Sequence, residues 1–296
     1  MAETHYILCE GNPPPRGFLS NYVTILMALR ELIEVHGVPE SRIHVSPAMF
    51  KLYGDPAHWF VPDRLRKPPA SATTALVSTK QIWLDYNVHF DFTRDAWRDG
   101  SAVSALRPHP MAGLRPYKRL FDYNDRIARY LQDSVKVFDN CLGVHFRGTD
   151  NNYGKASANH AKPVPLPAFL DRISMELESG RYEHLFVATD EDGIIERIAE
   201  HCWGRHRFDR VHHNPCTRSS TGAALHKTNF APDLKVRLGD EILLEVHSLV
   251  GCSAVICRAS NIVGYLGILN EHFDFIRLDL TDTGPAGGGG GGGASC

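Results

Sequence analysis

The chain has no apolar run approaching the ~20 residues that cross a bilayer, and it opens Met1-Ala2-Glu3-Thr4-His5, without the basic-then-apolar order of a secretory leader. It has no C-x-x-C pair. Its cysteines (Cys9, Cys141, Cys202, Cys216, Cys252, Cys257 and Cys296) are odd in number and scattered, which argues against a zinc site and against a disulfide framework. Several sit in apolar runs, where a free thiol packs as a small hydrophobe. Nor does either charge dominate: 32 Lys and Arg face 34 Asp and Glu, a formal net charge of −2, so there is no broad basic face for nucleic acid. An anionic ligand has to be held by a few local cations. Together these absences predict a protein of the reducing cytoplasm with no transmembrane segment.

What is present is a core. Of 296 residues, 43% are hydrophobic and 22% charged, which suits a globular chain of two ordinary domains. The segment Gly284–Cys296 contains seven consecutive glycines and cannot bury enough surface to offset its ordering entropy, so it is expected to be a disordered tail.

Along the chain, Thr4 to Cys9 reads as a strand, followed by a Gly- and Pro-bearing loop through Gly17. Val23, Leu26, Met27, Leu29, Leu32 and Ile33 recur at helical spacing, which predicts a helix from Ser20, as cap, to His36, ended by Gly37. Ile43-His44-Val45 is a second short strand, completing a βαβ unit. Residues 50–115 are aromatic (Trp59, Phe60, Trp83, Tyr86, Phe90, Phe92, Trp97) but interrupted by Pro and Gly; loops and short elements are expected, filling a core or lining an acceptor cleft.

From about Asn124 the pattern alternates. Helices are expected over 124–139, 167–178, 193–201, 239–250 and 261–269, and strands over 141–146, 184–188, 208–211 and 253–257. Strands alternating with helices indicate a doubly wound parallel sheet. The expected division is residues 1–120, 121–283 and the tail 284–296, with the last helix or the chain after Asn270 crossing back to the first domain.

In open α/β sheets ligands bind beyond the carboxyl ends of the strands. Three strands end in polar clusters: Val144-His145-Phe146-Arg147-Gly148-Thr149-Asp150, Val187-Ala188-Thr189-Asp190-Glu191-Asp192, and Val255-Ile256-Cys257-Arg258-Ala259-Ser260-Asn261. A guanidinium at a strand end beside glycine is shaped for a bidentate grip on phosphate oxygens, and the amides opening the Asn261 helix can add to it. Arg147 suits an internal ion pair with Asp150 or Asp190 equally well. Asp190-x-Asp192 is also an Asp-x-Asp pattern of the kind that holds a divalent metal on a nucleotide sugar, or simply a charged helix start. His212 and His213 make a poor metal pair, because adjacent residues point apart on a strand.

The run Gly143-Val144-His145-Phe146-Arg147-Gly148-Thr149-Asp150 resembles the His-x-Arg strand-end motif of the fucosyltransferase superfamily, the α-1,6- and protein O-fucosyltransferases and the nodulation type. Later features follow in the family's order: Ala188-Thr189-Asp190-Glu191, the helix from Gly239 to Leu249, and Cys257-Arg258-Ala259-Ser260. Arg16-Gly17-Phe18-Leu19-Ser20-Asn21 resembles its opening loop. The resemblance implies two Rossmann-like α/β domains facing a cleft (GT-B-like), the first on the acceptor side and the second binding the nucleotide sugar. It also implies GDP-fucose as donor, a glycan acceptor, inversion at the anomeric carbon, and no metal or resident cofactor.

Carried over by position, Arg147 binds the β-phosphate, His145 and Glu245 the guanine, and Ser260 and Asn261 the phosphates. Asp190 and Glu191 lie near the sugar or ribose, and Gly17 and Asn21 belong to the donor side. Asp150, His160 and Glu191 are the candidates for general base beside Arg147. Two positions depart from the family: Gly148 stands where the α-1,6 branch has a second Arg, and Asn151 where a Lys follows the Asp. The alternatives are transfer from another nucleotide sugar, with or without a metal at Asp190 and Asp192, and a nucleotide- or glycan-binding module without catalysis.

Overall fold

Strand β1 (Thr4–Cys9) carries Tyr, Ile and Leu, residues that favour the pleated, half-buried conformation. It pairs in parallel with β2 (Ile43–Val45) on one side and β3 (Thr73–Ser78) on the other, giving the order β2-β1-β3. The computed structural model describes residues 3–10, 17–79, 110–136, 138–149, 164–206, 210–225, 228, 230–258 and 260–278. Asp150, His160, Trp83, Tyr86, Phe90, Phe92, Trp97 and the glycine tail lie outside them.

The helix after β1, α1 (Phe18–Arg30), begins two residues before the expected cap. Gly17 is the N-cap and the helix starts without a side-chain cap, so Ser20 lies inside it. A wide turn, Glu31–Val35, extends it to Gly37, whose φ of 61° only glycine adopts freely. Between β2 and β3 the chain runs through short 3-10 turns that bury Met49, Phe50, Trp59 and Phe60. Of the aromatics expected to fill a core or line a cleft, Trp59 and Phe60 fill the core. β3 was not expected, since Thr-Thr-Ala-Leu-Val-Ser carries little apolar pattern.

Helical turns at Pro110–Leu114, Arg115–Lys118 and Arg119–Phe121 lead to α2 (Asp125–Ser134), where the Asn124 side chain accepts the Ile127 amide. The helix ends before Val135, so Phe138 is not part of its stripe and instead stacks on His212, ring centres 4.0 Å apart. The second sheet holds β4 (Cys141–Phe146), β5 (His184–Thr189), β6 (Val211–His212), β7 (Ala254–Cys257) and β8 (Asp274–Arg277) in the order β6-β5-β4-β7-β8, all parallel. Its helices are α3 (Leu166–Glu178), α4 (Ile194–His206), α5 (Pro232–Val250) and α6 (Asn261–Leu269). Of the two expected crossings, the last helix packs against the first half of the chain, whereas the described stretch 271–278 stays with the second sheet. It adds β8 to the edge beside β7.

β4 is buried along its whole length, with alternate residues on opposite faces. Leu142, Val144 and Phe146 pack with Phe169, Ile173, Ile194 and Ile198 of α3 and α4. Cys141 belongs to the other core, which runs without a break through Leu243 and Val246 of α5 and Tyr265 of α6 into α1, Trp59, Phe60 and β1. The two sheets therefore share one apolar core. Gly264 faces Met111 and Tyr22 packs on Tyr265, ring centres 5.2 Å apart, so the last helix docks on the first half of the chain. Among the described residues, no helix is long and apolar enough to cross a membrane, and every cysteine is a free thiol.

Candidate functional site

The strand order turns at β4. Its successors β5 and β6 lie on one side and β7 and β8 on the other, which makes the carboxyl ends of β4, β5 and β7 a topological switch point. Phe146 pairs with Thr189, so the next residues on those two strands are Arg147 and Asp190. Arg147 Nε stands 4.0 Å from Asp190 Oδ2, and its side chain keeps about a quarter of its surface in solvent. Of the two sequence readings of Arg147, the ion pair with Asp190 is present at long range.

The residue after it must be glycine. A Cβ built on Gly148 would fall 1.7 Å from Glu191 Oε2 and 2.8 Å from Glu191 Cβ. The Glu191 side chain therefore lies over the Gly148 backbone. On its other side Glu191 lines a hollow of about 490 Å³ with Phe146, Pro165, Leu166, Pro167, Ile194 and Arg197. Asp190 faces the strand-end turn: its Oδ1 accepts the Gly148 and Thr149 amides at 2.9 and 3.3 Å, and its Oδ2 accepts the Thr149 hydroxyl. Asp192 is exposed. Among the described residues there is no cluster of three or more His, Cys, Asp or Glu placed to hold a metal.

His145 is buried on the α5 side of β4. Burial first, and then the charges of Arg147 and Arg258, push its pKa down to about 3, so it is a neutral imidazole. Its Nδ1 has no hydrogen-bond partner among the described residues. Glu245, on α5, is mostly enclosed, with 13% of its side chain exposed. Burial pushes its pKa up to about 8 against the opposing pull of Arg218, and its Oε1 accepts no hydrogen bond among the described residues. Arg218 Nη2 stands 3.8 Å from that oxygen.

Arg218, in the loop after β6, is held by the carbonyls of Cys216 and Asn214 at 3.0 and 2.9 Å, while its Nε has no partner among the described residues. The loop carrying it is pinned to α5 by Glu241, which accepts the Thr217 amide at 2.8 Å. Buried polar atoms are nearly always paired. Three unsatisfied ones on three elements (His145 Nδ1, Glu245 Oε1 and Arg218 Nε) mark surfaces that a polar ligand would complete.

The Ser260 hydroxyl accepts the Val263 amide at 3.3 Å and so caps α6, whose first residue is Asn261. The helix start thus faces the end of β7, next to Arg258. From the first half of the chain, Gly17 sits 3.9 Å, measured from a built Cβ, from the hydroxyl of Tyr53. That phenol is buried, bonded to the Phe18 backbone, and feels the positive charge of Arg147, while burial lifts its pKa to about 12. Tyr53 was not singled out in the sequence; nothing in its spacing distinguishes it from the aromatics around it. Asn21 is buried, and its amide donates to the Met49 carbonyl, tying α1 to the turn after β2.

No protein-family model matches the chain, and no curated protein matches it. Among solved structures it is similar to NodZ alpha-1,6-fucosyltransferase co-crystallized with GDP, with 13% identity over 90% of this chain and 92% of that one and a TM-score of 0.48. It is similar to fucosyltransferase NodZ from Bradyrhizobium, with 12% identity over 90% and 92% and a TM-score of 0.47. It is also similar to POFUT1 in complex with GDP-fucose, with 10% identity over 93% and 98% and a TM-score of 0.45. Likeness at this level leaves the chemistry to be argued from this chain's own residues.

Proposed function

We propose that the chain is an inverting glycosyltransferase that moves L-fucose from GDP-fucose to a glycan acceptor without a metal. The observation that carries the reading is a guanidinium, Arg147, about a quarter exposed at the switch point of a parallel sheet, with His145 Nδ1, Arg218 Nε and Glu245 Oε1 left without hydrogen-bond partners among the described residues. Breaking a sugar–phosphate bond builds negative charge on the departing diphosphate. A fixed cation aimed there stabilises the transition state more than the ground state. The start of α6 adds backbone amides to the same anion.

A base edge with neighbouring N–H donors complements Glu245. Such donors hold the ionised form, so the proton that burial keeps on Glu245 leaves when the base arrives. Guanine has that edge. On this reading residues 121–283 bind the donor, residues 1–120 form the acceptor side in a GT-B-like arrangement, and the protein works in the cytoplasm. Glu191, beside Gly148 and open to its hollow, is the described candidate for taking the acceptor's proton; Asp150 and His160 are the others.

The test is a thermal-shift series with GDP and UDP, followed by turnover of GDP-fucose with EDTA present. At ~100 times its dissociation constant, GDP adds roughly 2.7 kcal/mol of stability, and UDP adds much less. Equal stabilisation by UDP would overturn the donor assignment. Turnover lost with EDTA would restore the Asp190–Asp192 metal reading, and binding of GDP-fucose without transfer or hydrolysis would leave a binding module.

A further inference from the structure

We propose that Asp190 is a positioning residue that acts through Arg147 and the strand-end turn and does not touch the donor. The inference rests on the reading that Arg147 holds the leaving diphosphate. Both oxygens of the Asp190 carboxylate are engaged by the turn. Oδ1 takes the amides of Gly148 and Thr149 at 2.9 and 3.3 Å, and Oδ2 takes the Thr149 hydroxyl at 2.5 Å, with Arg147 Nε 4.0 Å away. Thr149 is fully buried, so these bonds are shielded from competing water.

The backbone of the same residue holds a second piece of the site. The Ser219 amide donates to the Asp190 carbonyl at 2.9 Å, and the Asp192 amide donates back to the Ser219 carbonyl at 3.0 Å. Ser219 follows Arg218, the cation beside Glu245. One residue therefore fixes the turn that presents Arg147 and the loop that presents Arg218. Its carboxylate also helps keep the proton on Glu245. A carboxylate so bonded, with 29% of its side chain still in solvent, has its lone pairs committed to orientation. Orientation of this kind is worth much in catalysis, since a displacement of ~1 Å can cost about 100-fold in rate.

Two substitutions separate shape from charge. In Asp190→Asn the amide oxygen still accepts the two backbone N–H groups, and the Thr149 hydroxyl can reverse to accept from the amide nitrogen. Asp190→Ala removes all three bonds. The expected result for Asp190→Ala is a kcat lowered about 100-fold with a smaller change in the donor KM, and faster hydrogen exchange at the Gly148 and Thr149 amides. Asp190→Asn should keep near-wild-type exchange and lie within about tenfold of wild-type kcat, with the pH profile limb belonging to Glu245 moved to lower pH. Should Asp190→Ala not fold, Thr149→Val removes the hydroxyl bond alone and should raise exchange and lower kcat in the same direction. Equal losses in kcat for Asn and Ala would overturn the proposal, because charge or direct donor contact would then be the function. Unchanged exchange in Asp190→Ala would overturn it as well. The exchange readout needs no donor, so a failure of the GDP-fucose reading shows separately, as a wild-type protein without turnover.

Discussion

Gly239 meets Trp59 with no space between them: a Cβ on the glycine would come within 2.6 Å of the indole Cζ2. The indole Nε1 donates to Asp240 Oδ1 at 2.8 Å, and Arg126 takes both oxygens of that carboxylate at 2.9 Å. Alanine at 239 gains at most about 1 kcal/mol of helix propensity but overpacks a rigid ring, at a cost of about 1–3 kcal/mol. Gly239→Ala is therefore expected to lower Tm by several degrees. A Tm at or above wild type would mean that the ring has room to move.

The contact between Gly148 and Glu191 makes a paired prediction. Gly148→Ala forces Glu191 off the strand end and should cost about 1–3 kcal/mol, together with most of the turnover. Glu191→Ala removes the carboxylate and its Cδ, leaving only the Cβ contact at 2.8 Å, so the double variant should be more stable than Gly148→Ala alone. A double-mutant cycle on Tm measures this coupling; additive effects would show that the two residues do not compete for the same space.

Acid should destabilise the fold through two histidines. Burial holds His145 at about 3 and His247 at about 4, the latter bonded through Nε2 to the Tyr123 hydroxyl at 3.2 Å. In the unfolded chain both take a proton near pH 6.5. Their contribution is whole above that value and is lost as pH falls from there toward 4 and 3. Urea unfolding at pH 7, 6 and 5 should show stability dropping by up to about 1.4 kcal/mol per pH unit per group. His145→Gln and His247→Gln should each flatten the slope.

Glu245 runs the other way. Its carboxyl stays protonated up to about 8 in the fold, whereas the unfolded side chain ionises near 4.3. Stability from this group is complete below that lower value and fades as pH climbs to 8. Glu245→Gln, which has no proton to hold, should raise the Tm of the ligand-free protein at pH 8 and abolish stabilisation by GDP. A lower ligand-free Tm would mean that Glu245 is ionised and paired in the fold.

Much of this was legible in the residues. The apolar runs of β4, β5 and β7 and the stripes of α1, α3 and α6 located themselves, because burial writes a period into the chain. β3 was missed because its residues are largely exposed and show little apolar pattern, and β8 because four residues are too short a run to show a period. α5 begins two turns before Gly239, where Asp233, Lys235 and Arg237 blur the stripe. In the site, Arg147 could be singled out because strand ends are where ligands gather, whereas His145 and Glu245, the latter on a helix, came only from the resemblance. The seat of Glu191 on Gly148, 43 positions apart, could not, since no local signal records such a contact. Nor could Arg218, whose meaning depends on Glu245 lying across from it.

The unbroken apolar core between the two sheets bears on how the molecule melts. Tyr22, Trp59 and Phe60 from the early chain share one core with Leu243, Val246 and Tyr265 from the late chain, so neither half can keep this face dry without the other. Severed near residue 120, each fragment would present a raw aromatic wound to water, and the intact chain should lose its structure in a single cooperative step.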